Sequence, residues 1–174
     1  IEKVFNLLKY RQMKQEVVVK QLEKSGHRDE QQGRYKFEID VGMLEIYNDN
    51  VHDLLVPTKK GQKKEILEIR RNKQGKVEVS GLYKEKVNSV KDVLALLKKG
   101  NQNRATASTD MNEHSSRSHM VLIVDVKSGI EGEEPSEGTL FLVDLAGSER
   151  VKKSGVEGAN LKEAAQINQS LSAL

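Results

Sequence analysis

Residues 112–126 read Asn-Glu-His-Ser-Ser-Arg-Ser-His-Met-Val-Leu-Ile-Val-Asp-Val, a polar motif that leads directly into an apolar run. A second apolar run at residues 139–145, Thr-Leu-Phe-Leu-Val-Asp-Leu, is followed by Ala-Gly-Ser-Glu. Short runs of β-branched and aliphatic residues are typical of strands that are buried on both faces. Residues 120–126 and 139–145 are therefore predicted to form two buried strands of a sheet, each adjoining a polar motif.

The two polar motifs, residues 112–119 and 144–149, adjoin opposite ends of their strands. The first motif precedes its strand and the second follows its strand, so the motifs meet if the strands pair antiparallel. Asp144 lies at a strand end and is followed by Gly147, which suits a Mg²⁺-bound water and a backbone N–H close to a phosphate. The spacing therefore predicts a phosphate site where the motifs meet.

Four more side chains in these motifs carry suitable chemistry. Ser115 and Ser116 offer hydroxyls that could bind the metal ion and position a water molecule. Arg117 and Glu149 carry opposite charges and could close over a nucleotide as a charge-assisted pair. Either motif by itself also fits an ordinary turn or capping loop. Their combination favours a nucleotide site.

The rest of the chain alternates helices and strands. Hydrophobic periodicity predicts helices at 1–24, from Ser89 to Gly100, and at 161–174; Ser89 and Asp92 resemble a capping box at the start of the second. Strict alternation predicts a strand at 35–46, with a change of phase at Gly42 that indicates a bulge. Two short strands, at 66–69 and 76–79, are predicted to form a hairpin, and the lysines of residues 59–64 a solvated loop.

Composition narrows the class of protein. The 174 residues fit one domain, the net charge of +3 does not favour a nucleic-acid partner, and no cysteine is present for a disulfide or a thiolate site. No apolar run is long enough to suggest a membrane partner or a signal peptide, so a cytoplasmic location is expected. The chain begins at Ile1 without methionine and ends at Leu174 within a helical pattern, so we expect a piece of a longer protein.

Several short motifs occur in the order in which they occur in the kinesin motor domain, and the chain resembles that family along its whole length. These motifs are residues 44–48 (Leu-Glu-Ile-Tyr-Asn), 53–55 (Asp-Leu-Leu), 103–104 (Asn-Arg), 112–119, 144–149, 167–168 (Ile-Asn) and 170–174 (Ser-Leu-Ser-Ala-Leu). The greatest similarity is to the C-terminal-motor branch, whose members are often minus-end-directed.

The resemblance implies an α/β fold of the P-loop NTPase type, with a central, mostly parallel sheet flanked by helices and incomplete in this chain. Residues 1–174 would be a partial motor domain, with the phosphate-binding loop and first strands upstream and the end of the microtubule-binding face downstream. The motif G-x-x-x-x-G-K-[ST] occurs nowhere in the 174 residues. We therefore expect the fragment alone to bind ATP poorly and to be inactive.

The resemblance also implies roles for the first motif, which corresponds to switch I. Ser116 would bind Mg²⁺ and Ser115 would lie near the attacking water. Asn112 would contact the nucleotide, and Arg104 would lie close to the γ-phosphate.

The second motif corresponds to switch II. By the resemblance, Asp144 would hold Mg²⁺ through water, and Gly147 would offer its amide to the γ-phosphate. Glu149 would pair with Arg117 and help to polarise the attacking water.

The implied function is that of a microtubule-based motor with microtubule-stimulated ATPase activity, using ATP and Mg²⁺ and located on the microtubule cytoskeleton, including spindle or cilium. A coiled-coil dimer would form through segments outside this chain. The implied contacts with acidic tubulin come from four basic residues, Arg150, Lys152, Lys153 and Lys162. Two alternatives remain open: a non-motile kinesin-like structural subunit, and an unrelated phosphate-binding domain.

Overall fold

The structure, a computed structural model, describes residues 1–25, 33–57, 65–73, 75–106 and 118–146. These residues form two helices and seven strands. The helices are α1 (Glu2–Lys24) and α2 (Val90–Thr106); the strands are β1 (Tyr35–Tyr47), β2 (Asn50–Asp53), β3 (Glu68–Arg71), β4 (Val77–Ser80), β5 (Glu85–Lys86), β6 (His119–Ile130) and β7 (Ser136–Asp144). The predicted helix at 161–174 and the predicted lysine loop at 59–64 lie outside the described residues.

The chain divides into two compact units. The first comprises residues 1–41, 85–95 and 124–140, and the second residues 42–84, 96–123 and 141–174. In the second unit, a cluster of buried apolar side chains joins β1, β2 and β6 with Leu67, just before β3; its members are Leu44, Val51, Leu67, Val121 and Ile123. Burial of such side chains supplies most of the favourable free energy of folding.

Helix α1 confirms the predicted first helix. Phe5 and Leu8, three residues apart and hence on one face, are its buried side chains. The helix ends at Ser25, whose N–H and hydroxyl donate to the carbonyl oxygens of Gln21 and Leu22, at 3.1 and 3.0 Å. Neither described helix has an apolar stretch of the length that spans a bilayer.

Strands β1 and β2 form an antiparallel hairpin in which Tyr47 pairs with Asn50. The two residues between them, Asn48 and Asp49, have φ values of 49° and 59°. Positive φ at both central positions defines the tight turn that matches the twist of paired strands, and Asn and Asp tolerate it better than most residues. The strand predicted at 35–46 is confirmed, and it ends at Tyr47.

The predicted bulge at Gly42 takes another form, because β1 runs unbroken through this residue. Alternating burial gives way there to continuous burial from Val41 to Glu45, so both faces of the strand are covered. A Cβ on Gly42 would lie 3.0 Å from Leu82 Cδ2, so the glycine permits close packing. The change of phase in the sequence thus marks a strand that becomes buried on both faces.

The main sheet has the strand order β2-β1-β6-β7, with β5 also paired to β1. The β1–β2 and β1–β5 pairs are antiparallel. Only residues 131–135 connect β6 to β7, and parallel strands need a crossover of about a dozen residues or more, so this pair is antiparallel as well. The parallel pairings expected for the central sheet are not among these described pairs. The predicted β3–β4 hairpin is confirmed as a separate two-stranded sheet.

Strand β7 corrects one prediction, since it is not buried on both faces. Eight of its nine residues are exposed. Among them are the apolar residues Phe141, at 53% relative exposure, and Val143, at 45%. The strand is the last in the described sheet order and pairs with β6 alone. An apolar run indicates strand burial only where other layers cover it, and none of the described elements covers β7.

Helix α2 corrects a second prediction, because it continues past Gly100 to Thr106. Gly100 is buried, and a Cβ at this position would lie 2.2 Å from the sulfur of Met43. The glycine therefore allows the helix to approach β1 closely and does not end it. Its predicted start is confirmed: the Asp92 N–H donates to Ser89 Oγ at 3.3 Å, and the Asn88 N–H donates to Asp92 Oδ2 at 2.9 Å.

The turn between β1 and β2 yields a test of stability. We expect Asp49→Val to lower the free energy of unfolding by about 1–2 kcal/mol, because a β-branched side chain fits poorly at positive φ. Asp49→Gly should change it by no more than about 0.5 kcal/mol, since glycine adopts this conformation freely. Urea unfolding of both variants measures the difference, and equal loss in the two would contradict the role of the turn.

The start of α2 yields a test of pH dependence. The Asn88 amide, followed by the hydroxyl of Ser89, stabilises the charged carboxylate and lowers the pKa of Asp92 below its ordinary value of 3.8. A lowered pKa in the folded state contributes stability above the unfolded pKa, and this contribution is lost as the pH falls through the folded pKa. Asp92→Asn should therefore be less stable than the native protein at pH 6, with the gap closing below pH 3.8.

Acid unfolding curves of the native protein and Asp92→Asn, recorded between pH 6 and 2, measure this gap. Asp49→Asn serves as the matched control, since it removes an exposed aspartate outside the helix start. A gap that stays constant across this range would show that the Asp92 charge does not stabilise the helix.

Candidate nucleotide site

Arg104, on the last turn of α2, connects three elements of the second unit. Its Nε donates to Glu45 Oε1 at 3.1 Å and to Ser118 Oγ at 3.2 Å. Its Nη2 donates to the carbonyl oxygen and the hydroxyl of Ser118, both at 2.7 Å. The guanidinium thus fixes the backbone and side chain of the residue that immediately precedes β6.

The Glu45–Arg104 ion pair is buried. The Glu45 side chain is 1% exposed and that of Arg104 is 12% exposed. Removing two charges from water costs several kcal/mol per ion unless attraction and further hydrogen bonds offset it, and Ser118 supplies such bonds here. The pair therefore requires all three residues to be placed together.

Asn103, the neighbour of Arg104, holds the same turn of α2 from another side. Its side-chain amide donates to the carbonyl oxygen of Leu54 at 2.8 Å, and Leu54 is fully buried. Both contacts depend on the continuation of α2 beyond Gly100. The close packing of Gly100 against Met43 lets this part of α2 lie near β1, which carries Glu45.

The two polar motifs meet through a backbone-to-side-chain hydrogen bond. The Ala146 N–H donates to Nδ1 of His119 at 2.9 Å, and both residues are buried. Because Nδ1 accepts this bond, the proton of the neutral ring lies on Nε2. The predicted meeting of the motifs through antiparallel strands is therefore supported at His119 and Ala146.

Asp144 lies at the end of β7 and is exposed. Ala146, two residues further along the chain, is buried. Among the residues that the structure describes, no group of three or more histidines and carboxylates could hold a metal ion. Asp144 thus offers a single hard oxygen ligand group.

Of the residues predicted for the site, the structure describes Arg104 and Asp144. The remaining ones lie outside the described residues: Asn112, Ser115, Ser116, Arg117, Gly147, Glu149, Arg150, Lys152, Lys153 and Lys162.

The sequence motifs predict no individual role for Glu45, Ser118 or His119. Two signals were present in the sequence. Glu45 is a charged residue between Leu44 and Ile46 at the point where the alternation of β1 breaks down, and His119 is the last polar residue before an apolar strand. A charge in a doubly buried strand calls for a buried partner, but only tertiary structure identifies Arg104 as that partner.

These features define an α/β fold in which the chain just beyond the end of β7, at Ala146, contacts the start of β6, at His119. The model of the kinesin motor domain matches residues 1–174. The chain belongs to the kinesin motor-domain family.

Individual relatives agree with this assignment. The chain is 44% identical over 147 residues to the kinesin-like protein KIN-14R of Oryza sativa subsp. japonica, covering 83% of the chain and 15% of the relative. It is also 44% identical over 140 residues to kinesin heavy chain isoform 5A of Mus musculus, covering 80% of the chain and 13% of the relative. The equal identities do not single out the expected C-terminal-motor branch.

A solved structure, KIF14 residues 391–755 with ADP in complex with a microtubule, is similar in fold. It aligns with a TM-score of 0.67 and 34% identity, over 90% of this chain and 44% of the KIF14 chain. The predicted α/β kinesin fold is confirmed. The chain spans less than half of the length of each of these relatives.

The buried ion pair yields a test by a double-mutant cycle. Arg104→Met should lower the free energy of unfolding by about 3–5 kcal/mol, because it leaves the Glu45 carboxylate buried without the guanidinium. The double variant Glu45→Leu/Arg104→Met should recover most of this loss, since no buried charge remains. Urea unfolding of the native protein, the two single variants Glu45→Leu and Arg104→Met, and the double variant completes the cycle. Additive losses in the double variant would show that the two side chains act independently.

Proposed function

We propose that the protein to which this chain belongs is a microtubule-stimulated ATPase motor, which couples ATP hydrolysis to movement along microtubules or to binding of them. The observation that carries the proposal is the hydrogen bond between His119 and Ala146 in a chain of the kinesin motor-domain family. That bond joins the two motifs whose residue types suit a nucleotide and a metal ion. The similar KIF14 structure contains ADP and a microtubule.

ATP is the proposed substrate, and Mg²⁺ the proposed cofactor. The donor set fits Mg²⁺, which is usually held by one or two carboxylates together with substrate phosphates and water, not by an all-protein cage. Asp144 supplies an exposed carboxylate at a strand end, and Ser116 supplies a hydroxyl from the first motif. When bound, Mg²⁺ would neutralise charge on the phosphate oxygens.

The proposed roles of the protein groups follow the two motifs. Ser115 positions the attacking water, and Asn112 contacts the nucleotide. Gly147 donates its amide to the γ-phosphate. Arg117 and Glu149 pair across the motifs, and Glu149 helps to polarise the water.

Arg104 is proposed to lie close to the γ-phosphate and also to hold the end of the first motif in position. Because its Nε and Nη2 donate to Glu45 and Ser118, this side chain can also act by fixing the end of the first motif. A residue so placed influences phosphate chemistry through position, since small displacements of catalytic groups carry large costs in rate.

The proposed partner is the microtubule. Acidic tubulin would be contacted by Arg150, Lys152, Lys153 and Lys162, and these contacts would weaken with rising salt because charge interactions are screened. Dimerisation through a coiled coil and a location on the microtubule cytoskeleton, including spindle or cilium, belong to the same proposal. The non-motile structural subunit is the alternative that the following experiment separates.

The proposal is tested by the turnover of ATP in the full-length protein with and without microtubules. Microtubules should raise kcat, and Glu149→Ala should lower kcat by about 100-fold or more, because general acid–base groups contribute effects of that size. Glu134→Ala is the matched control, since Glu134 is an exposed carboxylate outside both motifs.

Two outcomes would contradict the proposal. If the native protein binds microtubules but hydrolyses no ATP, it is the structural subunit. If the Glu149→Ala variant turns over ATP as fast as the native protein, the role given to Glu149 is wrong.

A further inference from the structure

His119 is a buried histidine with a defined hydrogen-bond acceptor. The residue is only 1% exposed, and its Nδ1 accepts a hydrogen bond from the Ala146 N–H at 2.9 Å. Ala146 is itself 5% exposed. A buried backbone N–H needs an acceptor, and in this part of the chain a side chain provides it in place of a strand partner.

The backbone that precedes His119 is held in place by Arg104. Ser118, the residue before it, is fully buried and accepts bonds from Arg104 through both its carbonyl oxygen and its hydroxyl. Arg104 in turn is anchored by Glu45. His119 therefore projects from a fixed point at the start of β6.

The donor of this hydrogen bond, Ala146, lies within the second motif. Ala146 is preceded by Leu145 and followed by Gly147, so its backbone determines where the Gly147 amide begins. A preorganised backbone amide stabilises charge only if its direction is fixed before the reaction. The hydrogen bond to Nδ1 fixes the Leu145–Ala146 peptide. This peptide immediately precedes the one that carries the Gly147 N–H.

We propose that His119 is a positioning residue for γ-phosphate chemistry, which acts by holding the Ala146 backbone through Nδ1. The inference rests on the proposed function, because it assigns the Gly147 amide to the γ-phosphate. His119 does not touch the nucleotide in this proposal. Its effect is confined to steps that need the γ-phosphate, so binding of ADP does not depend on it.

Two conservative variants of the full-length protein separate this role from simple filling of the core. Asparagine places its amide oxygen near the position of the histidine Nδ1, whereas glutamine places it near the position of Nε2. His119→Asn should therefore keep kcat for ATP within about threefold of the native value, and His119→Gln should lower it about 100-fold. Both should bind ADP within about twofold of the native affinity.

The matched control is the pair His52→Asn and His52→Gln. The Nδ1 of His52 contacts the carbonyl oxygen of Glu65 at 2.8 Å, away from both motifs, so neither change should affect kcat. Equal kcat values for His119→Asn and His119→Gln would overturn the proposal. A parallel fall of kcat and ADP affinity in His119→Gln would also overturn it, because that pattern is the mark of a structural role.

A measurement on the native protein covers the case in which the His119 variants do not fold. Hydrogen exchange of the Ala146 amide should be slowed at least about 100-fold relative to an unstructured peptide when a non-hydrolysable ATP analogue is bound. Exchange at the unstructured rate would overturn the proposal. Absence of ATP turnover in the native protein would instead contradict the proposed function, on which this inference rests.

Discussion

The carboxylate of Glu45 imposes a constraint on which the second unit depends. A charge at a position that is 1% exposed is tolerated only with a close countercharge and further hydrogen bonds, because its loss of hydration is expensive. Arg104 is that countercharge, and Ser118 in turn accepts hydrogen bonds from the Arg104 guanidinium. Strand β1, helix α2 and the start of β6 are thereby tied to one another by chemistry that apolar packing alone would not specify.

This constraint explains the packing of Gly100. For Arg104 to reach Glu45, α2 must run one turn past Gly100 and lie close to β1. Any side chain at position 100 would collide with Met43, which is fully buried and has little space to move. Glycine costs helix stability through its entropy, and here the close approach of helix and strand offsets that cost.

Local signals made much of the fold predictable from sequence. The start of α2 follows from Ser89 and Asp92, and the hairpin of β3 and β4 follows from two short β-rich runs separated by turn residues, because each involves neighbours in the chain. The end of α2 and the exposure of β7 were not predictable in the same way. From sequence alone, a glycine in a helical pattern indicates a helix end, and an apolar run indicates a buried strand. Only the tertiary neighbours show where these signals fail.

The site shows the same division. Residue types in the two motifs indicated a phosphate and a metal ion, since carboxylate, hydroxyl and glycine each have a recognisable chemical use. Glu45 and His119, which contact Arg104 and Ala146, carry no such signature. Their importance arises because the short connection between β6 and β7 returns Ala146 to the start of β6, where a buried N–H requires an acceptor. The topology thus brings the Ala146 N–H to His119, whose Nδ1 accepts its hydrogen bond in a buried position.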